Sequence, residues 1–292
     1  MIIVNMKGWV GNQLFQYSTG RALALKNGDT LKIDASDFNR HRTTTKDTRE
    51  LDITKFNIAA DEATAKEIRS LREPYGLLSY VFRRLRAKFG LKEILNFEPS
   101  ILNSTGNQYL DGYFQSYKYF AAIENVLQQE LRLKKHFSVS AKQWHEKIKK
   151  STPSISIHIR RGDYVSNQKV RTNFGPCPID YYERAIEKID TDVSNGTYFV
   201  FSDDLEWVRE NLPLPTTRTY YVTGSDIEAV EEMVLMSQCD HNIIANSSFS
   251  WWGAWLNQNE EKTIIAPTPW LDSGTINEDD LLPPDWIRMA KY

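Results

Sequence analysis

The sequence predicts an α/β protein built from two Rossmann-type halves that face a cleft. The N-terminal residues follow the order strand, glycine-bearing turn, helix and strand, which starts a βαβ unit. After residue 150, short apolar runs alternate with helical patterns, a succession typical of a parallel, doubly wound sheet. The polar stretch Lys149–Pro153 between these parts indicates domains of residues 1–150 and 151–292.

The first half begins with the apolar strand Met1–Met6 and the turn Lys7–Gln13. A helix over Leu14–Lys26 is predicted because its apolar residues share one face, and strand Leu31–Ile33 completes the unit. The turn leads into a helix N-terminus, where backbone N–H groups favour anions. Its spacing is not that of the dinucleotide fingerprint, so a tight turn that requires Gly11 explains it equally well.

A second feature of the first half is the basic amphipathic pattern at Tyr75–Gly90. Its apolar residues fall on one helical face, and its arginines lie elsewhere. Such a helix can lie on an anionic membrane surface, which predicts a peripheral contact at the inner face of a membrane. The alternative is that the apolar face packs on the protein's own core.

Strands and helices alternate through the second half. The predicted order is strand Ile155–Ile159, helix Pro178–Ile189, strand Tyr198–Phe201, a helix ending at Asn211, strand Thr219–Val222, a helix ending at Cys239, strand Asn242–Ala245, a helix beginning at Trp251, and strand Thr263–Ala266. Ser225–Glu228 is expected to form a capping box. The aromatic rings of Trp251, Trp252 and Trp255 suit stacking on a base or sugar, but their position on a helix favours core packing.

Three strand ends of the second half carry polar clusters, at His158–Asp163, Ser202–Asp204 and Asn246–Ser250. The carboxyl ends of parallel strands open on one edge of the sheet, where ligands bind. Adjacent arginines suit phosphate oxygens, carboxylates can accept hydrogen bonds from guanine, and a small polar loop before a helix suits phosphate. Together the clusters predict a nucleoside diphosphate pocket, although helix caps and a surface Arg–Asp pair explain each cluster singly.

The amino-acid composition of the chain excludes some classes of function. Of the 292 residues, 41% are hydrophobic and 25% charged, and the net charge is -2, so nucleic acid is not an expected partner. The two cysteines, Cys177 and Cys239, have neither metal nor redox spacing, which fits a reducing compartment. No apolar run approaches a membrane span and no signal-peptide pattern occurs, so we expect a cytoplasmic protein.

No metal site is predicted. The five histidines lack ligand spacing, and the D-x-D at Asp190–Asp192 trails a helix, where a solvated loop is expected. Without a metal, cationic side chains and helix dipoles must neutralise a pyrophosphate. Arg160 and Arg161 are therefore necessary to the predicted site.

Five stretches carry a further similarity: GNQLFQYS from Gly11, GYFQSYKYF from Gly112, HIRRGDYV from His158, FSDD from Phe201, and DIEAVEEMVLMSQCDHNIIANSSFSWWGAWL from Asp226. Together they resemble the bacterial α-1,2-fucosyltransferases of glycosyltransferase family 11. The resemblance implies a GT-B-like fold with an N-terminal acceptor side and a C-terminal donor side. It also implies metal-independent, inverting transfer of L-fucose from GDP-β-L-fucose to the 2-hydroxyl of a terminal β-galactose, in O-antigen or other surface polysaccharide synthesis.

The resemblance implies roles for single residues. Arg160 would bind the β-phosphate of the leaving GDP, and Asp163 would be either the catalytic base or an orienting partner of the arginines. Donor contacts are implied for Gly11, Asn12, Gln13, His158, Arg161, Asp203, Asp204, Ser248, Phe249 and Ser250. The α-1,6 relatives carry a proposed base five residues beyond this aspartate, but this chain has Gln168 there. The other carboxylates to test as the catalytic base are Asp34, Asp37 and Asp111.

Two other function classes stay open at this stage. Another nucleotide-sugar glycosyltransferase of surface polysaccharide synthesis would use the same pocket with a different donor or linkage. A non-catalytic nucleotide- or carbohydrate-binding module would bind GDP without turnover, although paired arginines have no evident use in a lectin.

Overall fold

The computed structural model describes residues 1–38, 49–72, 78 and 94–292. These residues divide into two compact units, Met1–Lys134 and Lys135–Tyr292. The predicted pattern at Tyr75–Gly90 lies outside the described residues, apart from residue 78. In the part of the chain that the structure describes, no helix has both the length and the apolar character that crossing a membrane requires.

The first unit contains a parallel four-stranded sheet with strand order β3-β2-β1-β4. Its strands are β1 (Ile2–Asn5), β2 (Leu31–Asp34), β3 (Asp61–Glu62) and β4 (Gln108–Leu110). Its helices are α1 (Val10–Asn27), α2 (Ala65–Arg72), α3 (Pro99–Leu102) and α4 (Glu124–Glu130), with 3₁₀ turns at Asp52–Lys55, Tyr117–Tyr119 and Ala121–Ile123. The continuous apolar run of β1 is fully buried, as expected of a central parallel strand.

Helix α1 begins at Val10, earlier than the predicted start at Leu14. Gly11 consequently lies in the first helical turn, so the alternative of a tight turn that requires Gly11 is wrong. The turn is made by Gly8, whose φ is +77°. Glycine adopts this left-handed conformation without the steric cost that a side chain brings.

The second unit contains a parallel six-stranded sheet with strand order β10-β9-β8-β5-β6-β7. Its strands are β5 (Ser154–Ile159), β6 (Thr197–Ser202), β7 (Thr219–Tyr221), β8 (His241–Ile243), β9 (Ile264–Thr268) and β10 (Ile287–Ala290). Its helices are α5 (Val139–Lys149), α6 (Gly162–Ser166), α7 (Gln168–Phe174), α8 (Ile179–Asp192), α9 (Leu205–Asn211), α10 (Ala229–Ser237), α11 (Ser248–Trp255) and α12 (Glu278–Leu281), with a 3₁₀ turn at Thr216–Arg218.

Helices cover both faces of this sheet. Alternate residues of β6 point to opposite sides: Val200 packs in a core with Tyr181 of α8, and Phe201 packs in a second core with Ile148 of α5 and Leu235 of α10. The packing of α5 against α10 places α5 in the second unit, so the division falls after Lys134 rather than at residue 150. The predicted α/β class with two parallel-sheet halves is confirmed.

Two helix starts differ from the prediction. Helix α10 is capped by Glu228 and Glu231, which form the capping box in place of Ser225–Glu228. Helix α11 begins at Ser248 rather than Trp251, and Trp251 and Trp252 are fully buried. Core packing of these tryptophans is therefore confirmed.

Candidate active site

The carboxyl edge of the second sheet has a topological switch point. From β5 the chain continues to β6 and β7 on one side and then returns to β8 on the other side. Ligands of open parallel sheets bind outside the strand ends where the order reverses. The three predicted polar clusters follow β5, β6 and β8, so they lie at this edge of the sheet.

Arg160 follows β5 and is held between two carboxylates. Its Nη2 lies 2.7 Å from Asp163 Oδ1, and its Nη1 lies 2.9 Å from Asp203 Oδ2. The guanidinium carbon is 5.8 Å from the ring centre of Tyr164. Because 29% of the side chain stays exposed, the guanidinium is fixed in orientation but open to a ligand.

Asp203 joins the β5 loop to the β6 loop. While one oxygen pairs with Arg160, the other accepts the backbone N–H of Arg161 at 2.8 Å. The backbone at Gly162 approaches the Asp203 carboxylate closely. A Cβ at this position would lie 2.5 Å from Asp203 Oδ2, so a side chain does not fit there. In this structure, therefore, both oxygens of Asp203 contact the protein itself.

Arg161 is held by a different set of contacts. Its Nε donates to Asp204 Oδ2 at 3.0 Å, and its guanidinium stacks on Trp207 with the carbon 3.4 Å from the ring centre. Asp204 also caps α9 by accepting the Trp207 N–H at 3.3 Å. Trp207 was missed from the sequence because its only signal is one aromatic residue in a short helix.

His158 is buried beneath this edge. Its ring lies 5.3 Å from that of Phe249, and its Nδ1 has no hydrogen-bond partner among the residues that the structure describes. Burial, and then the charge of Arg160, lower the pKa of His158 to about 3. The imidazole is therefore neutral at physiological pH.

The depressed pKa of His158 predicts an acid-sensitive second unit. A histidine in the unfolded chain takes up a proton near pH 6.5, but His158 in the folded chain does so near pH 3. The stability that neutral His158 contributes is therefore lost progressively as the pH falls from 6.5 towards 3. The free energy of unfolding should fall by about 1.4 kcal/mol per pH unit from this group. In urea denaturation at several pH values, the unfolding free energy of His158→Asn should depend less on pH, by a slope that corresponds to about one proton taken up on unfolding. Equal slopes for the variant and the native protein would contradict the assignment.

The loop after β8 begins α11. Ser247 caps the helix by accepting the Phe249 N–H at 3.3 Å. The Ser250 hydroxyl is fully buried and donates to the carbonyls of Ala245 and Ser247, so it supports the loop. Ser248 is half-buried in the first helical turn, where unsatisfied backbone N–H groups favour anions.

A buried clamp fixes the segment between α7 and α8. Asn246 Nδ2 donates to the carbonyls of Phe174 and Gly175 at 2.7 and 2.9 Å. Lys291 Nζ, which is fully buried, donates to the same two carbonyls at 3.1 Å and pairs with Asp272 at 2.5 Å. The clamp therefore ties residues near the chain's end to the loops of the switch point.

Glu232 on α10 was also missed from the sequence. Burial, and then the charge of Asp203, raise the pKa of Glu232 to about 7. A shifted carboxyl beside a paired one is typical of a functional site. No sequence pattern distinguishes Glu232 from the other acidic residues at the start of the same helix.

The first unit carries the other three predicted donor contacts. Gly11 and Gln13 are buried in the first turn of α1, and Asn12 is half-buried. Gln13 donates to the carbonyls of Gly8 and Glu50, so its amide braces the turn. Among these residues, Asn12 is the one whose side chain is open to a ligand.

Gly8→Ala tests this turn. The new Cβ would impose a left-handed φ on alanine and would lie 2.6 Å from Asn12 Nδ2. Gly28→Ala is the matched control, because Gly28 has a φ of +66° but no atom within 4 Å of the added carbon. Both variants should lose about 1 kcal/mol of unfolding free energy from strain. Only Gly8→Ala should also lose activity, and equal activities would show that Asn12 is not displaced.

The remaining candidate carboxylates lie at the carboxyl edge of the first sheet. Asp34 is fully buried and accepts from Tyr109 Oη at 2.6 Å, so it is not open to substrate. Asp111 accepts from Asn5 and from Lys7 Nζ at 3.0 and 2.9 Å. Burial acts to raise the pKa of Asp111, but Lys7 and these hydrogen bonds outweigh it and lower the pKa. Asp37 is half-buried.

Across the described ranges, no group of three or more His, Cys, Asp or Glu side chains is arranged to hold a metal ion. The D-x-D motif lies at the end of α8 rather than in a loop. Its Asp190 accepts from Tyr198 Oη at 2.5 Å, and its Asp192 pairs with Lys188. These contacts give the motif a structural role.

The sequence of this chain matches a known protein family. Residues 1–290 match the family model "Glycosyl transferase family 11". An α-1,2-colitosyltransferase of Escherichia coli is 31% identical, covering 100% of this chain and 99% of its own length. The O-antigen biosynthesis glycosyltransferase WbnK, also of Escherichia coli, is 32% identical, covering 97% of this chain and 99% of its own length.

Solved structures of other proteins share the fold of this chain at low sequence identity. Fucosyltransferase NodZ from Bradyrhizobium has a TM-score of 0.51 at 14% identity, covering 86% of this chain and 91% of that one. NodZ α-1,6-fucosyltransferase crystallised with GDP has a TM-score of 0.53 at 13% identity, with coverages of 86% and 90%. The GT-B-like fold implied by the sequence motifs is confirmed.

Proposed function

Because this chain belongs to glycosyltransferase family 11, we propose that it transfers L-fucose from GDP-β-L-fucose to the 2-hydroxyl of a terminal β-galactose in O-antigen synthesis. The transfer inverts the anomeric configuration and needs no metal. The second unit binds the donor, and the first unit binds the acceptor oligosaccharide.

The observation that carries the proposal is the fixed guanidinium of Arg160 at the switch point. Its two carboxylate partners, at 2.7 and 2.9 Å, hold the planar fork before any ligand arrives. A preorganised cation stabilises charge that builds up on a leaving group without the cost of reorganisation. Arg160 therefore neutralises the β-phosphate of GDP, and the first turn of α11 at Ser248 supplies backbone donors to the same diphosphate.

The reaction is a single displacement at the fucose anomeric carbon. The acceptor 2-hydroxyl oxygen forms the new bond to C1 while the bond from C1 to the β-phosphate oxygen breaks, and GDP leaves with the bonding electrons. The hydroxyl proton passes to a carboxylate. Asp163 lies at the switch point and is paired with Arg160, so its role is either that of the base or that of the group that orients the arginine.

Guanine recognition requires a carboxylate that accepts from the N1–H and the amino group. The oxygens of Asp203 and Asp204 already accept from the two arginines. Each carboxylate oxygen has two lone pairs, so Asp203 and Asp204 keep acceptor capacity while they bind the arginines. We therefore assign the guanine contact to Asp203, with neutral His158 and Phe249 packed beneath the nucleotide.

The first test is GDP release from GDP-fucose in the presence of EDTA, with a panel of β-galactosides. Acceptor-dependent release is expected, and the rates rank the acceptors. Binding of GDP without release for any acceptor would contradict the proposed transfer and favour a binding module. Release that requires an added divalent cation would contradict the metal-independent mechanism.

A colitosyl donor is the second candidate. It is favoured by the 31% identity over the whole chain to an α-1,2-colitosyltransferase. Colitose differs from fucose by the loss of one ring hydroxyl, so both sugars suit the same phosphate site. Initial rates with GDP-fucose and GDP-colitose at equal concentration distinguish the two functions, and the larger kcat/KM identifies the donor.

A further inference from the structure

The turn between β1 and α1 is braced by side-chain amides. Gln13 Nε2 donates to the carbonyl oxygens of Gly8 and Glu50 at 3.1 and 2.8 Å. Gln16 accepts from the N–H of Lys7 at 3.0 Å and donates to its carbonyl at 3.2 Å. Both glutamines are fully buried, and their N–H₂ groups are used within the protein.

Asn12 differs from these two glutamines. Its Oδ1 accepts from Gln115 Nε2 at 2.8 Å. Its N–H₂ group lies over the α-carbon of Gly8, where an added Cβ would come within 2.6 Å. No acceptor among the described residues contacts this N–H₂ group, and Asn12 is half-buried. The amide is therefore held with its donors unused.

Gln115 is itself held in place by a strained segment. It follows Phe114, which is fully buried and has a φ of +51°. The N–H groups of Tyr113 and Phe114 both donate to the Ile94 carbonyl, at 2.8 and 3.1 Å, and the Gln115 N–H donates to that of Leu95 at 2.8 Å. A bulky residue with positive φ costs free energy, and such residues cluster at ligand sites.

We propose that Gln115 is a positioning residue that sets which end of the Asn12 amide faces the substrate. By donating to Oδ1, Gln115 leaves the N–H₂ group of Asn12 free to donate to an oxygen of the substrate that the first unit binds. An amide turned the other way would present lone pairs to that oxygen and repel it. The inference rests on the proposed function, in which the first unit binds a substrate.

Two variants of the full-length chain separate polarity from packing. Gln115→Glu places an acceptor opposite Asn12, so the Asn12 amide turns round to donate to it. Gln115→Met keeps the length but makes no bond, so the amide is free to take either orientation. We expect kcat to fall about 100-fold for Gln115→Glu and about 10-fold for Gln115→Met, with similar Tm values. Gln108→Glu on β4 controls for the added charge and should keep kcat.

The expected order of the two variants is the signature of positioning. A packing role would lower activity in parallel with Tm, and Gln115→Met would then be at least as impaired as Gln115→Glu. A double-mutant cycle adds a second check. In an Asn12→Ala background, Gln115→Met should change kcat/KM by less than about twofold. The same tenfold loss in that background would overturn the proposal.

A measurement without turnover keeps this inference separate from the proposed function. In the ¹⁵N-labelled protein, the side-chain N–H₂ resonances of Asn12 should shift in Gln115→Glu, because one proton then bonds to a carboxylate. In Gln115→Met they should lack that shift. If these shifts occur but GDP-fucose is not used, the donor assignment fails and the positioning stands. Unchanged resonances in Gln115→Glu would overturn the positioning.

Discussion

Replacing Arg160 by lysine should lower kcat about 10²- to 10³-fold while the protein stays folded. The guanidinium spans Asp163 and Asp203 and still has N–H groups left for a phosphate. A lysine ammonium is a point charge that cannot bridge both carboxylates in a fixed plane and also face the diphosphate. Initial rates of GDP release, measured beside thermal unfolding, test the prediction.

Arg171→Lys is the matched control for this prediction. Arg171 is exposed on α7, and its guanidinium undergoes the same chemical change without an ion pair to any described residue. Its rate should stay within about twofold of the native rate, since exposed substitutions rarely matter. If Arg160→Lys kept near-native turnover, or if both variants lost activity equally, Arg160 would not be the group that stabilises the leaving diphosphate.

The second large effect is expected from Lys291→Met, and it is an effect on stability. The change removes a fully buried cation. The two carbonyls then keep the Asn246 amide as a donor, and Asp272 keeps the Tyr292 hydroxyl. Because Asp272 is partly exposed, the loss should fall at the lower end of values for a broken buried pair, about 3 kcal/mol. For a domain of this size the Tm of the second unit should fall by roughly 6–12 °C.

Lys188→Met is the control for this second prediction. Lys188 forms an exposed ion pair with Asp192 one turn along α8. Exposed pairs of this kind contribute little, so its Tm should change by less than about 2 °C. Differential scanning calorimetry of the three proteins tests both expectations. A Tm for Lys291→Met equal to that of the control would mean that the clamp does not stabilise the second unit.

The second sheet was largely predictable from local patterns. Strands such as Ile155–Ile159 either alternate polar and apolar residues or are apolar throughout, and each lies between helical segments. These patterns depend only on nearby residues. Because the strands are parallel, their order of appearance also predicted that the polar clusters share one edge. The helix ends were less predictable, since α1 and α11 begin in residues that the sequence favoured as loops.

The partners within the site could not be predicted in the same way. Asp203 contacts Arg160 and Arg161 across more than 40 residues of sequence, and Trp207 stacks under Arg161 from another helix. These contacts depend on the register of β5 against β6, which single-sequence patterns do not encode. The Gln115–Asn12 contact and the shifted pKa of Glu232 were missed for the same reason, because both depend on groups that the fold brings together.

The clamp made by Lys291 also has a consequence for biosynthesis. The carbonyls of Phe174 and Gly175 are made on the ribosome long before the lysine that they bind. Contacts of this sequence separation form late in folding. We therefore expect ribosome-bound nascent chains that stop before β10 to leave the loop between α7 and α8 open to proteases, and this loop to become protected only after Lys291 has emerged.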